Sequence, residues 1–218
     1  MEQVEKEDHS SRLVILIAIN LSSFLAPFMA SSVNIALPTI GKEFNVGAIG
    51  LGWVATSYIL SAAIFLVPFG RLGDIYGRKR IFSYGIIVYT LASLLLGFSI
   101  SSEMLISLRI LQGIGVSMMF STAVAILTSV FPASERGKVL GINVATVYVG
   151  LSLGPTLGGL LTQNLGWRSI FFVNVPLGLL IIIFTFWKLK GEWAGAKGEK
   201  FDFIGSIIYG LMLVSIMY

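Results

Sequence analysis

The sequence predicts an all-α membrane protein, a bundle of six transmembrane helices followed by the start of a seventh. Three observations carry this. The 218 residues are 56% hydrophobic and only 12% charged, with a mean hydropathy of +0.89, so there are too few polar groups to cover a water-soluble globule. Six apolar runs approach or exceed the roughly 20 residues a helix needs to cross the hydrocarbon core, and a seventh begins before Tyr218. The charges are gathered in short segments between these runs.

Residues 1–12 read as a solvated tail, acidic and polar, unlike the basic start of a cleavable signal peptide. His9 stands alone there and makes no metal site, and the chain has no cysteine. The first span runs from Leu13 to Ile40, long enough to tilt or bend, with Pro27 in its middle favouring a kink. Asn20, Ser23, Pro27, Ser31 and Asn34 share one helical face, which lipid forces inward. Two readings stay open for that face: polar glue between helices, or the wall of a polar cavity.

The second span covers Leu51 to Phe69, with Ser57 and Ser61 one turn apart and Trp53 as an interfacial anchor. Residues 70–80 follow as a charged, glycine-rich hinge holding four of the fifteen cations. Gly70, Gly73 and Gly77 permit close approach and a tight reversal, and Asp74 and Arg78 are spaced to meet on a helical turn. The third span, Ile81 to Ile100, is the most uniformly apolar and is expected outermost. Ser102 is expected to cap the fourth span, with Glu103 in its first turn.

That fourth span, Met104 to Phe131, contains Arg109, the one charge clearly inside a span, with Gln112 and Gly113 on the following turn. Such a cation faces the protein interior, and the competing reading is snorkelling to the interface two turns away. The loop 132–138 is charged. The fifth span, Val139 to Leu161, carries Gly150, Gly154 and Gly158 on one face, a pattern for close helix packing, with Pro155 between them. The sixth span covers Ile170 to Trp187, residues 188–200 form a polar linker, and residues 201–218 open the partial seventh helix. The bundle proper is therefore residues 13–187.

The stretch Gly70-Arg-Leu-Gly73-Asp74-Ile-Tyr-Gly77-Arg78-Lys79-Arg80 resembles the signature G-x-L-x-D-x-x-G-R-K/R of the major facilitator superfamily, in the loop where that family carries it. Arg109-Ile-Leu-Gln112-Gly113-Ile-Gly115 resembles its R-x-x-Q-G-x-G motif. Gly150-Leu-Ser-Leu-Gly154-Pro155-Thr-Leu-Gly158-Gly159 resembles its antiporter motif. Trp167, Arg168, Phe171, Asn174, Pro176 and Gly178 resemble a segment of drug exporters. The resemblance spans the first six helices and implies the amino-terminal half of a secondary carrier, similar to fourteen-helix drug:proton antiporters. It implies a gate at Gly70, Gly73, Asp74, Gly77, Arg78, Lys79 and Arg80, and coupling through Arg109, Gln112 and Gly113. It further implies control of closure by Gly150, Gly154, Pro155, Gly158 and Gly159, and a substrate cavity lined by Asn20, Ser23, Asn34, Asn143, Arg109 and Gln112.

One departure weakens proton coupling. Where many drug exporters carry an aspartate near the end of the first helix, this chain has Met29, and no carboxylate lies mid-span. The expected energy source is a proton or other ion gradient, with no cofactor. The expected partners are the bilayer, a small-molecule substrate, and a second copy or a missing carboxyl-terminal half. The alternative is a non-transporting half-carrier fragment or membrane scaffold. No nucleophile–base set or phosphate loop suggests an enzyme, and cations confined to short loops do not form a nucleic-acid footprint.

Twelve of the fifteen cations, including Lys6, Lys190 and Lys197, fall on the side of the 70–80 hinge, against Lys42 and Arg168 opposite. This predicts a cytoplasmic amino terminus in the cell membrane. An offset of 89 residues lays residues 70–82 over 159–171 with five of thirteen positions identical, and places Asn20 over Arg109. That is the mark of the inverted three-plus-three repeat described for this superfamily.

Overall fold

The structure, a computed structural model, describes residues 2–189, 194–196 and 198–217, with side-chain surroundings from Arg12 to Ile216. Lys190 and Lys197, and the side chains of Lys6 and His9, lie outside the described residues. Among the described residues, seven helices follow in order: α1 (Glu2–Phe44), α2 (Ala48–Tyr76), α3 (Arg78–Leu96), α4 (Ser102–Val130), α5 (Ala133–Leu165), α6 (Arg168–Lys188) and α7 (Phe203–Met217). The first six are long and apolar enough to cross a membrane, and α7 is shorter.

Most helices overrun the apolar runs. Hydropathy sees only the part of a helix that lies in lipid, whereas i→i−4 hydrogen bonding continues through Glu, Lys and Arg, which are good helix formers. Thus α1 begins at Glu2, inside the expected tail, and α2 continues through Gly70 and Gly73 to Tyr76. The eleven-residue hinge is in fact the end of α2, a one-residue reversal at Gly77, and the first turn of α3. The cap of α4 is Ser101, whose Oγ accepts from the amide of Met104 at 3.2 Å, one residue before the expected Ser102.

α1 lies along α5, and α2 and α3 lie along α4. α6 joins α3 to α1, and α7 packs on α2. The third span is not outermost: α3 buries a full face that includes Ser83, Thr90 and Ser93 against α4 and α6, while α2 and α5 are the most exposed spans. Uniform hydropathy could not separate a lipid-facing helix from one that buries small hydroxyls. The core forms two clusters along the bundle. One, toward the 70–80 end, gathers Ile19, Leu25, Phe82, Ile86 and Met119, and the other gathers Met29, Val33, Leu96, Leu105 and Phe171.

Candidate functional site

The glycines of residues 70–80 do two different jobs. Gly77 has φ 115°, where a side chain is strained, and its amide closes α2 on the carbonyl of Gly73 at 2.9 Å. Gly73 lets α2 settle on α4: a Cβ there would lie 2.9 Å from Cγ2 of Thr122, and one at Gly70 would lie 3.6 Å from Ser121. The reversal delivers Arg78, the first residue of α3, back onto Asp74. Its Nε donates to Oδ1 at 2.9 Å and its Nη2 lies 2.8 Å from the same oxygen. Nη1 reaches α4 at the Ala125 carbonyl (3.4 Å) and Ser129 Oγ (3.3 Å). One guanidinium therefore ties α2, α3 and α4. Lys79 is half-buried, with its carbonyl taken by Ser83, and Arg80 is exposed. The linker adds two ties, Ala196 N–H to the Asp74 carbonyl at 2.9 Å and an Arg71–Glu199 ion pair.

Arg109 does not snorkel. It is 1% exposed and held by neutral groups. Nε donates to the Val54 carbonyl at 3.2 Å, Nη1 to Gln112 Oε1 at 2.9 Å, and the guanidinium carbon sits 4.0 Å from the centre of the Tyr58 ring. Gln112 Nε2 passes the network to Ser93 Oγ at 2.8 Å. Nearby, Tyr89 Oη bonds Asn174 Oδ1 at 3.0 Å and Tyr58 Oη donates to the Ala26 carbonyl at 3.0 Å. The glycines of the same motif make this reachable. A Cβ on Gly113 would lie 2.4 Å from the Tyr58 carbonyl, and one on Gly115 2.7 Å from the Tyr89 amide. Backbones of α2 and α3 thus come close enough to α4 to surround the cation.

The glycine face of α5 meets the polar face of α1. A Cβ would lie 2.6 Å from the Phe24 carbonyl at Gly150, 1.8 Å from Ser31 Oγ at Gly154, and 2.7 Å from Ser32 Cβ at Gly158. Ser32 Oγ donates across the seam to the Gly154 carbonyl at 3.0 Å. Gly159 makes no such demand, since its nearest contact is 3.7 Å, and Pro155 is exposed. At one end of the seam Asn143 Nδ2 donates to Asn20 Oδ1 and Ser23 Oγ, both at 2.9 Å. Asn20, Ser23 and Asn143 therefore form one cluster, while Asn34 stands exposed and apart from it.

A knot at the opposite end of the bundle was not expected as a unit. Glu43, near the end of α1, pairs with Arg168 at 2.6 Å and accepts from Trp167 Nε1 at 2.7 Å. Arg168 also donates to the Ser99 carbonyl at 2.8 Å and lies 4.2 Å from the centre of the Trp167 ring. Tyr58, Tyr89, Ser93 and Glu43 went unnoticed in the sequence. The available signal was a hydroxyl or acid recurring near the ends or within apolar spans, but its partners lie on other helices.

A sequence profile described as Major Facilitator Superfamily matches residues 19–211. The multidrug resistance protein Stp of Mycobacterium tuberculosis (strain CDC 1551 / Oshkosh) is 37% identical over 209 residues, 95% of this chain and 39% of that protein. The riboflavin transporter RibZ of Clostridioides difficile (strain 630) is 34% identical over 196 residues, 90% of this chain and 43% of that protein. The drug efflux pump JefA of Mycobacterium tuberculosis (strain CDC 1551 / Oshkosh) is 37% identical over 198 residues, 90% and 38% respectively. The chain thus spans about two fifths of the length of these relatives. In fold it is similar to the proton:xylose symporter XylE, with a TM-score of 0.73 at 17% identity, covering 85% of this chain and 46% of that one.

Proposed function

Because this chain belongs to the major facilitator superfamily, whose members are transporters and not enzymes, we propose that it supplies the first half of a secondary carrier exporting drug-like or amphipathic organic compounds by alternating access. It is a multi-pass membrane protein. The observation that carries the reading is the likeness, over nine tenths or more of the chain, to a multidrug resistance protein and a drug efflux pump. The charge asymmetry supports a cytoplasmic amino terminus in the cell membrane.

In this reading Asp74 and Arg78 are the gate. The pair is only partly buried and is anchored on α4, so it can be exchanged for contacts with a facing half at modest cost, as a bistable interface requires. Gly70, Gly73, Gly77, Lys79 and Arg80 shape and charge that end. Arg109, Gln112 and Gly113 act in coupling, since a permanent cation held by neutral partners senses any charge entering the pathway. The glycine seam of α5, with Pro155, sets how α1 and α5 move together. Asn20, Ser23 and Asn143 contribute to the substrate cavity, and Asn34 lines it where α1 is exposed. Met29 is fully buried in the core and offers no titratable group, so this half supplies no carboxylate at the position where many drug exporters carry one.

A second half completes the pathway, either another copy or the missing carboxyl-terminal half. The exposed apolar faces of α2 (Ile59, Leu66) and α5 (Tyr148, Leu153, Leu160) supply the docking surface. The same faces favour a second reading, a scaffold that binds another membrane protein without transport. Native mass spectrometry in lipid nanodiscs, followed by an efflux assay, separates the two. The expected result is a defined assembly whose efflux is abolished by Asp74→Asn with expression intact. Undiminished efflux in that variant would refute the gate, and a single copy without efflux would leave the scaffold.

A further inference from the structure

α7 touches α2 at one place and stands off it at another. It is pinned where Tyr209 Oη donates to the Ala63 carbonyl at 3.4 Å, and where buried Gly210 faces Ile64, whose Cγ2 would lie 3.2 Å from a Cβ. Toward the linker, Phe201 and Phe203 form an edge-to-face pair with centroids 4.7 Å apart, and Pro68 within α2 lines the same hollow. The result is a hollow of about 460 Å³ walled by Phe65, Phe69, Leu72, Ile207, Leu211 and Val214. A second hollow of about 260 Å³ adjoins it through Pro68, Phe201 and Ser206, and its wall adds Arg71, Asp202 and Tyr209.

We propose that this groove binds one phospholipid with a zwitterionic phosphate–ammonium headgroup, an acyl chain lying between α2 and α7 and the headgroup at Arg71 and Asp202. The volume of the larger hollow falls in the range of small-ligand sites. Its wall is aliphatic and aromatic. Ser206, its one hydroxyl, already donates to the Asp202 carbonyl at 2.7 Å, so nothing there binds a polar group and a hydrocarbon chain fits. The groove is continuous with the bare face of α7, where Ile204 and Ile208 are exposed, so it opens to lipid.

The mouth fixes the headgroup. Arg71 keeps 42% of its side chain exposed while paired to Glu199, leaving room for a phosphate on its planar fork. Asp202 is exposed, and among the described residues its Oδ1 accepts from the Gly205 amide at 2.8 Å to begin α7. An ammonium next to the phosphate matches these carboxylates. A purely anionic headgroup would bring no ammonium to Glu199 and Asp202. All of these residues lie where the spans end, at headgroup depth.

The test is native mass spectrometry of the full chain extracted from membranes holding phosphatidylethanolamine and phosphatidylglycerol in equal amounts. One retained phosphatidylethanolamine per chain is expected. Arg71→Gln should cut its retention roughly tenfold, the loss of one charge-assisted contact. Val214→Trp, which fills the groove, should abolish retention of both lipids. Circular dichroism and thermal melting show whether either variant has misfolded. Independently of these substitutions, Leu211→p-benzoylphenylalanine should crosslink an acyl chain on illumination. Preferential retention of phosphatidylglycerol, retention unchanged in both variants, or crosslinking of position 211 to a second copy or a transported compound in place of lipid would overturn the proposal.

Discussion

Gly150→Ala is the sharpest perturbation of the α1–α5 seam. The new methyl carbon would lie 2.6 Å from the Phe24 carbonyl oxygen and 3.3 Å from the Phe28 amide nitrogen. Both are backbone atoms of a packed helix and cannot turn aside. An ordinary carbon–oxygen approach is about 3.3 Å, so the two helices must separate by roughly 0.7 Å at this point. Overpacking of this kind costs about 1–3 kcal/mol. Separation also stretches the bond from Ser32 to the Gly154 carbonyl, worth about 0.6 kcal/mol inside a membrane. Replacing a mid-helix glycine returns about 0.5–1 kcal/mol, so a net cost of about 1–3 kcal/mol is expected. Gly141→Ala on the same helix is the control. Nothing lies within 4 Å of its Cβ position, so replacing a mid-helix glycine there should stabilise by about 0.5–1 kcal/mol. Reversible unfolding of the purified chain in mixed micelles measures both. Effects of the same sign in the two variants would show that the glycines do not set the approach of α1 and α5.

Arg109→Lys should destabilise the bundle by about 3 kcal/mol despite keeping the charge, because a point ammonium cannot span the Val54 carbonyl, Gln112 and the Tyr58 ring together; the thermal unfolding midpoint in detergent reads this, and a wild-type midpoint would count against the network. Asn143→Leu should cost about 1–2 kcal/mol by leaving Ser23, buried, and Asn20 without their shared donor, and Ser23→Ala in that background should cost nothing further, a cycle read by the same unfolding assay. Glu43→Gln should cost only about 0.5–1 kcal/mol, because both partners of its ion pair remain about one-third exposed or more; added salt should shrink the difference between the variant and the parent chain.

The six spans and the reversal near Gly77 were legible because each rests on a local property, hydrophobic run length or backbone freedom. The Asp74–Arg78 pair was legible for the same reason, four residues being one turn. What escaped reading depends on distance between helices. The small-residue face of α5 announces close packing but does not say with what. Its partner, the Asn20–Ser31 face of α1, was noticed separately as polar, and nothing in either pattern joins them. Arg109 was ambiguous between interface and interior because its depth along α4 is local, whereas its burial depends on Gly113 and Gly115 drawing α2 and α3 inward. Tyr58 and Tyr89 escaped notice because the partners of their hydroxyls are carbonyls on α1 and a side-chain amide on α6.

The offset of 89 residues gains physical content from the structure. It superposes Gly77 on Gly166, and these are the two glycines with positive φ among the helix junctions α2–α3 and α5–α6. It superposes Arg78 on Trp167, and each sends its side chain to the end of the first helix of the other triplet, Arg78 to Ser129 of α4 and Trp167 to Glu43 of α1. It also superposes Phe24 on Gly113 and Ser61 on Gly150. Those four residues form two crossings, Gly150 against the Phe24 carbonyl and Gly113 against Ser61 and the Tyr58 carbonyl. Each crossing joins the first helix of one triplet to the second helix of the other, but the glycine sits on the second helix (α5) in one crossing and on the first helix (α4) in the other. A close backbone approach needs a small residue on only one side, so the geometry of the repeat can persist while its residues do not. Of the five identities between residues 70–82 and 159–171, the Gly77/Gly166 pair is the one a positive φ restricts to glycine; the other four lie within helices.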